Sequence, residues 1–145
     1  MNKGLWCNAH ADGKIIGVLT GKPLHTFQEA VDAFNEAGFN PLEYYYCGEL
    51  MIAAAFQNKN IEKQLVEYLQ QEVAQWGYKK FCCMVVEDNK DHQLRPIDFQ
   101  FDEQIMIEQL GFVPMPVTIS LSWSTLNDNG IIQEQNNKLL FWHLF

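Results

Sequence analysis

The stretch ELMIAAAFQNKNIEKQL, Glu49 to Leu65, joins a strand-like run to the start of an amphipathic segment, and the rest of the chain can be ordered around it. Upstream, LEYYYCGELMIAAAF, Leu42 to Phe56, has the aromatic and β-compatible residues of a strand, with Gly48 as a bulge in its middle. The Ala53 to Ala55 run is compatible with helix as well. Downstream of Asn60, apolar residues at Ile61, Leu65, Leu69, Val73 and Trp76 form a stripe at helical spacing that stops at Gly77. KKFCCMVVED, Lys79 to Asp88, is then a continuous apolar run of strand length, the pattern of a strand covered on both faces. The centre of the chain therefore reads strand, helix, strand. If the two strands are parallel, the loop between Phe56 and Asn60 lies at the C-terminal end of the first, where open α/β sheets bind ligands.

Working outward, ADGKIIGVLTGK predicts a turn at Asp12-Gly13 and a hairpin pairing Leu5–Ala9 with Lys14–Thr20. HTFQEAVDAFNEAGF predicts a helix opened by a Thr26/Glu29 capping box, faced by Phe27, Ala30, Val31, Phe34 and Ala37, and closed at Gly38. Asp88 to Phe99 is polar and irregular and leads into FDEQIMIEQLGF, a short amphipathic helix ending at Gly111. VTISLSW and KLLFWHLF are two last strands separated by the turn-rich NDNG.

The 145 residues suit one domain that buries about two-thirds of its unfolded surface. The 48% hydrophobic and 19% charged residues, with no like-charge run, argue against long disordered segments. A net charge of -8, with Arg95 the only arginine, argues against nucleic-acid and anionic-membrane partners, which need clustered Lys and Arg. No apolar run reaches the roughly 20 residues that span a bilayer, and MNKGLWCNAHADG lacks a secretory hydrophobic region, so a cytoplasmic protein is expected. Cys7, Cys47, Cys82 and Cys83 lack disulfide-framework spacing and are expected to be buried thiols, and Cys7 with His10 has no second pair at zinc-ligand spacing.

The junction residues resemble the GNAT acetyltransferase superfamily, whose signature strand reads roughly L-x-V-x-P-x-x-[RQ] and is followed by G-x-G-x-[GA] at the head of a long helix. Leu50, Ile52 and Gln57 fall on the L, V and R/Q positions. LVEYLQQEVAQWGYKKFCCMVVEDN is similar to the helix, its Gly end and the following strand with its terminal Asn89, and EQLGF, Glu108 to Phe112, to the family's "ekLGF". The resemblance covers residues 49–145, an acetyl-CoA-binding-like half, while residues 1–48 match only loosely through DGKIIGVL. It implies a single GNAT-like α/β (α+β) domain, an acyl-CoA N-acyltransferase fold with a central mixed twisted sheet flanked by helices.

What the resemblance implies for chemistry is transfer of an acetyl group from acetyl-CoA or another acyl-CoA to an amine by direct attack. Gln57, Asn58, Lys59, Asn60, Ile61 and Glu62 would form the pyrophosphate cradle, with Ile52 and Asn89 also on cofactor-binding positions, and Glu49, or less directly Glu43, would be the general base. Three positions depart from the cradle pattern. Asn58 and Asn60 replace glycines, and Glu62 replaces a small residue where a carboxylate about 6 Å from a phosphate charge costs roughly 3 kcal/mol at an effective dielectric near 20. The tyrosine acid of the family falls on Ile107, which cannot donate a proton, and Tyr44, Tyr45, Tyr46 and Tyr78 are the candidates to replace it. The insert KDHQLRPIDF lengthens the connection after Asn89. The alternative is a pseudoenzyme: a non-catalytic binding or dimerisation module that keeps the fold. The C-terminal strand KLLFWHLF is either an exposed edge, through which a homodimer is expected, or packed into the core of one subunit.

Overall fold

The computed structural model describes residues 4–57, 59–86, 110–126 and 128–144. Its first element is the expected hairpin: β1 (Leu5–Ala11) and β2 (Lys14–Pro23) pair antiparallel, and Asp12 and Gly13 turn the chain at φ of 50° and 75°. A 3-10 turn over Leu24–Thr26 follows, then α1 (Gln28–Glu36). The expected capping box does not form. Thr26 sits in the 3-10 turn and donates its hydroxyl to the Pro23 carbonyl at 2.7 Å, and Phe27 takes the N-cap position without a side-chain cap.

Helix α1 does end as expected, because Gly38 reaches φ 86°. Its amide bonds to Asn35 O at 3.1 Å and that of Phe39 to Phe34 O at 2.9 Å, a Schellman arrangement sealed by the Phe34 and Phe39 rings, 6.3 Å apart. Leu42 and Glu43 are not strand residues. The Asn40 side chain accepts from the Leu42 amide, and Pro41–Glu43 form a 3-10 turn that delays β3 to Tyr44–Ile52. The alanine run is neither strand nor α-helix but a 3-10 turn, Ala54–Phe56.

Helix α2 (Ile61–Ala74) buries Ile61, Leu65, Leu69 and Val73, the expected stripe, and closes at Gly77 with φ 89°. Strand β4 (Lys80–Val86) then runs parallel to β3. The chain finishes as a long antiparallel hairpin, β5 (Val113–Leu126) and β6 (Ile132–Leu144). The six strands of the described residues form one mixed sheet in the order β1-β2-β3-β4-β6-β5. The expected FDEQIMIEQLGF helix falls on residues 101–109 and lies outside the described residues up to Leu110.

That order corrects one expectation. KLLFWHLF is not an edge: β6 lies between β4 and β5, so its backbone is hydrogen-bonded on both sides and Leu139, Phe141 and Trp142 are buried within the subunit. The edges are β1 and β5.

The two helices cover opposite faces, which explains why YYYCG does not alternate in polarity. Tyr44 packs with Phe34, Cys82, Val117 and Phe141 in the layer under α1, while Tyr45 packs with Leu19, Leu69, Val73 and Phe81 in the layer under α2. With both faces dry, each aromatic gains the roughly 1.5–3 kcal/mol of full side-chain burial. Phe34 is completely buried between Tyr44 and Phe141, at ring distances of 5.1 and 5.0 Å.

Candidate functional site

Between β2 and β3 the pairing runs Leu19 to Leu50 and then Gly21 to Cys47. Two steps along β2 thus match three along β3, so Gly48 and Glu49 together face Thr20: the bulge expected at Gly48 is present. The Glu49 amide donates to the Thr20 hydroxyl at 2.9 Å. Gly48 is required for this packing, since a Cβ there would stand 2.8 Å from Thr20 Oγ1. The Glu49 side chain is exposed and lines a cavity of about 260 Å³ together with Thr20, Gly21, Lys22, Tyr46 and Gly48.

Just before the bulge, β3 and β4 part. Their parallel pairing covers Tyr44 to Lys80, Tyr45 to Phe81 and Tyr46 to Cys82 and goes no further, although β3 continues to Ile52 and β4 to Val86. Beyond that point β3 pairs with β2 alone, and β4 with β6 alone. The result is a wedge open toward the C-terminal ends of the parallel strands, the end from which the loop to α2 departs.

That loop is fixed at both ends. The Ala53 amide donates to Ile16 O at 2.8 Å, and the Gln57 side-chain amide donates back to Ile52 O at 3.4 Å. Asn60 adopts φ 61° and ψ 18°, the left-handed conformation that a glycine would take at little cost. Its carbonyl accepts the first helical bond from Gln64 at 3.1 Å, but its side chain caps no amide of α2. Lys59 Nζ lies 5.3 Å from the Phe56 ring centroid, Glu62 is half-buried in the first turn, and Lys63 pairs with Glu67 at 4.0 Å. The Ile52 and Ile61 side chains face the core, both beside Gly17, so these two positions offer a ligand backbone atoms. Asn58, Asn89 and Ile107 lie outside the described residues.

Glu43 is not a candidate base. It stands in the turn before β3, bonded to Lys80 Nζ at 2.5 Å, and the six residue steps from it to Glu49 span about 20 Å of extended strand. Of the four tyrosines, Tyr44, Tyr45 and Tyr78 are buried in the core and only Tyr46 lines the cavity. Burial pushes the Tyr46 phenol well above its ordinary value, with further pushes from Cys82, Cys83, Glu49 and Cys47, so it keeps its proton. Its ring lies 5.8 Å from that of Phe27, and Lys22 Nζ sits 4.8 Å from the Phe27 centroid.

Sequence reasoning missed Thr20 and Lys22. Both come from β2, and only the register of Lys22 against Tyr46 brings them beside the bulge. The four cysteines are free thiols, three of them buried as expected and Cys83 half-buried. Burial pushes all four thiols up, Cys83 to about 12, and among the described residues no cluster of three or more His, Cys, Asp or Glu could hold a metal.

The fold is shared with solved acetyltransferases. A GNAT family acetyltransferase from Elizabethkingia anophelis with acetyl-CoA bound superposes with a TM-score of 0.57 at 15% identity, over 97% of this chain and 75% of that one. An aminoglycoside 6'-N-acetyltransferase complexed with coenzyme A gives 0.55 at 14% identity over 97% and 72% of the two chains. The ribosomal-protein-S18-alanine N-acetyltransferase from Escherichia coli gives 0.54 at 13% over 97% and 68%. No protein of curated function matches significantly in sequence. Residues 1–94, which include the hairpin, the bulged strand, the loop and α2, match the acetyltransferase (GNAT) family model. The chain belongs to the GNAT acetyltransferase family.

Proposed function

We propose that this chain is an active acyl-CoA-dependent N-acetyltransferase, and that Glu49 serves the attacking amine. The observation that carries this reading is the position of the bulge: β3 turns Glu49 into a cavity directly beside the point where β3 and β4 separate. Bulges beside active sites serve to re-aim a side chain in this way. Solved relatives of the same fold hold acetyl-CoA or coenzyme A, which supports an acyl-CoA as the donor here.

The loop residues fit such a donor. Asn60 takes the glycine-like backbone the pattern requires, and its side chain leaves the first amides of α2 to an anion rather than capping them. Gln57, Asn58, Lys59, Asn60, Ile61 and Glu62 would cradle the pyrophosphate, with Ile52 contributing backbone atoms and Asn89 as a further cofactor-binding position. When bound, the donor supplies an acyl thioester whose C–S bond is exchanged for a C–N bond. Glu49 accepts a proton from the substrate ammonium, directly or through water. Tyr46, protonated at neutral pH, is our candidate for the donor that Ile107 cannot be.

The rival reading, a fold retained without chemistry, rests on Glu62, whose charge opposes an anion at the helix start. Turnover separates the two. With acetyl-CoA and a panel of primary amines, the transferase reading expects amine-dependent release of free coenzyme A thiol, reduced by Glu49→Gln. Absence of thiol release with every amine would leave only the non-catalytic module. Cytoplasmic location belongs to the same proposal. A homodimer formed by strand pairing would use β1 or β5, the two edges among the described residues.

A further inference from the structure

We propose that the acceptor is a small amine carrying an acidic group, and that Lys22 binds that group; this rests on the transferase reading above. The cavity beside the bulge contains one anion and one cation, Glu49 and Lys22, and among the described residues neither forms an ion pair with the other or with any third group. Lys22 lies opposite Tyr46 in the register of β2 and β3, and its ammonium is held against the Phe27 ring at 4.8 Å. The remaining lining consists of Thr20, Gly21, Tyr46 and Gly48, which add hydroxyl and backbone groups but no charge.

Two opposite charges that share a small cavity without pairing form a template for a zwitterion. The ammonium end of the acceptor is drawn to Glu49, and its acid end to Lys22. A simple amine leaves Lys22 without a partner, and an acid without an amine meets Glu49. The surrounding protein sharpens the point: at a net charge of -8 it disfavours acids in general, so an acidic acceptor depends on a local cation, and among the described residues Lys22 is the only one lining this cavity. A volume of about 260 Å³ falls just below the roughly 300–1,000 Å³ of pockets that hold drug-sized ligands, which favours an acceptor of amino-acid size.

The reaction balances without a further reagent. The acceptor nitrogen forms a bond to the acyl carbon as the C–S bond breaks; of the two protons the ammonium loses, one leaves through Glu49 to solvent and one ends on the coenzyme A thiol. The acid group is unchanged and serves for recognition.

The test compares acceptors that differ only at the acid, alanine with alaninamide and aspartate with asparagine, using acetyl-CoA and wild-type protein, then Lys22→Met and Lys22→Arg. The expected result is a kcat/KM advantage of about 10- to 100-fold for carboxylate over carboxamide, the range of a charge-assisted hydrogen bond, carried by KM. That ratio should fall toward one in Lys22→Met and be largely kept in Lys22→Arg. Equal kcat/KM for carboxylate and carboxamide in the wild type, or an equal loss for both in Lys22→Met, overturns the proposal while leaving the transferase reading standing. Loss of turnover with every amine instead overturns both, and is recognised because no acceptor of any charge then releases thiol.

Discussion

The backbone amide of Glu49 donates to the hydroxyl of Thr20 at 2.9 Å, tying the extra residue of β3 to the strand beside it. The same hydroxyl oxygen sits 2.8 Å from where a Cβ on Gly48 would be, so one oxygen both holds the bulge and sets the size of the residue that makes it. Thr20→Val keeps the shape and removes the acceptor. It should cost about 0.5–1.5 kcal/mol of stability and lower kcat while leaving acetyl-CoA affinity unchanged. Gly48→Ala should be destabilising by about 1–3 kcal/mol, and less so in a Thr20→Ala background. A double-mutant cycle from urea unfolding checks this; equal costs in both backgrounds would mean that Thr20 Oγ1 is not the clashing atom.

At the head of α2, Glu62 is half-buried, and the nearby Lys63 is engaged with Glu67. Removing the charge with Glu62→Gln should tighten acetyl-CoA binding, by at most about 100-fold if the full ~3 kcal/mol at 6 Å is recovered. Calorimetric titration of the variant against wild type reads this directly, and unchanged affinity would place Glu62 away from the bound phosphates.

The core prediction concerns Phe34, fully buried among Phe39, Tyr44 and Phe141. Phe34→Ala should cost about 3–5 kcal/mol in chemical denaturation, because it deletes the ring on which α1 docks and also the contact that seals its C-terminus. A loss below about 1 kcal/mol would contradict that packing.

His143 predicts the sign of one pH effect. Burial, followed by the charge of Lys80, lowers its pKa below the ordinary 6.5. Unfolded, the ring takes a proton near 6.5; folded, it does so only at lower pH, so between the two values the unfolded chain holds more protons. Stability from this group is therefore complete above pH 6.5 and is lost as pH falls through the folded pKa. Urea midpoints measured from pH 7.5 down to 5 should drop, with a smaller drop in His143→Gln; identical slopes would assign the effect to other groups.

How far the sequence spoke for itself depended on whether a signal was local. Asp12-Gly13, Gly38 and Gly77 mark backbone that must reach positive φ, and all three chain reversals stand where these residues put them. The 3.6-residue stripe of α2 and the unbroken apolar run of β4 declared their burial in the same way. The Thr26/Glu29 motif misled because Thr26 had a nearer acceptor in Pro23 O. The apolar C-terminal strand was ambiguous for a different reason: apolar residues suit a strand buried between two neighbours as well as an exposed edge, and only the sheet order decides. In the candidate site, Glu49 and the loop could be found along the chain, whereas Thr20 and Lys22 reach it through pairing with a strand some 25 residues away, a relationship no local pattern encodes.

Titration of the purified chain with acetyl-CoA by isothermal calorimetry, supported by a thermal-shift series, tests the central claim most directly. The account predicts saturable binding at one site per chain, strengthened in Glu62→Gln and accompanied by a rise in melting temperature. No heat and no thermal shift at millimolar acetyl-CoA, in either the wild type or Glu62→Gln, would contradict it.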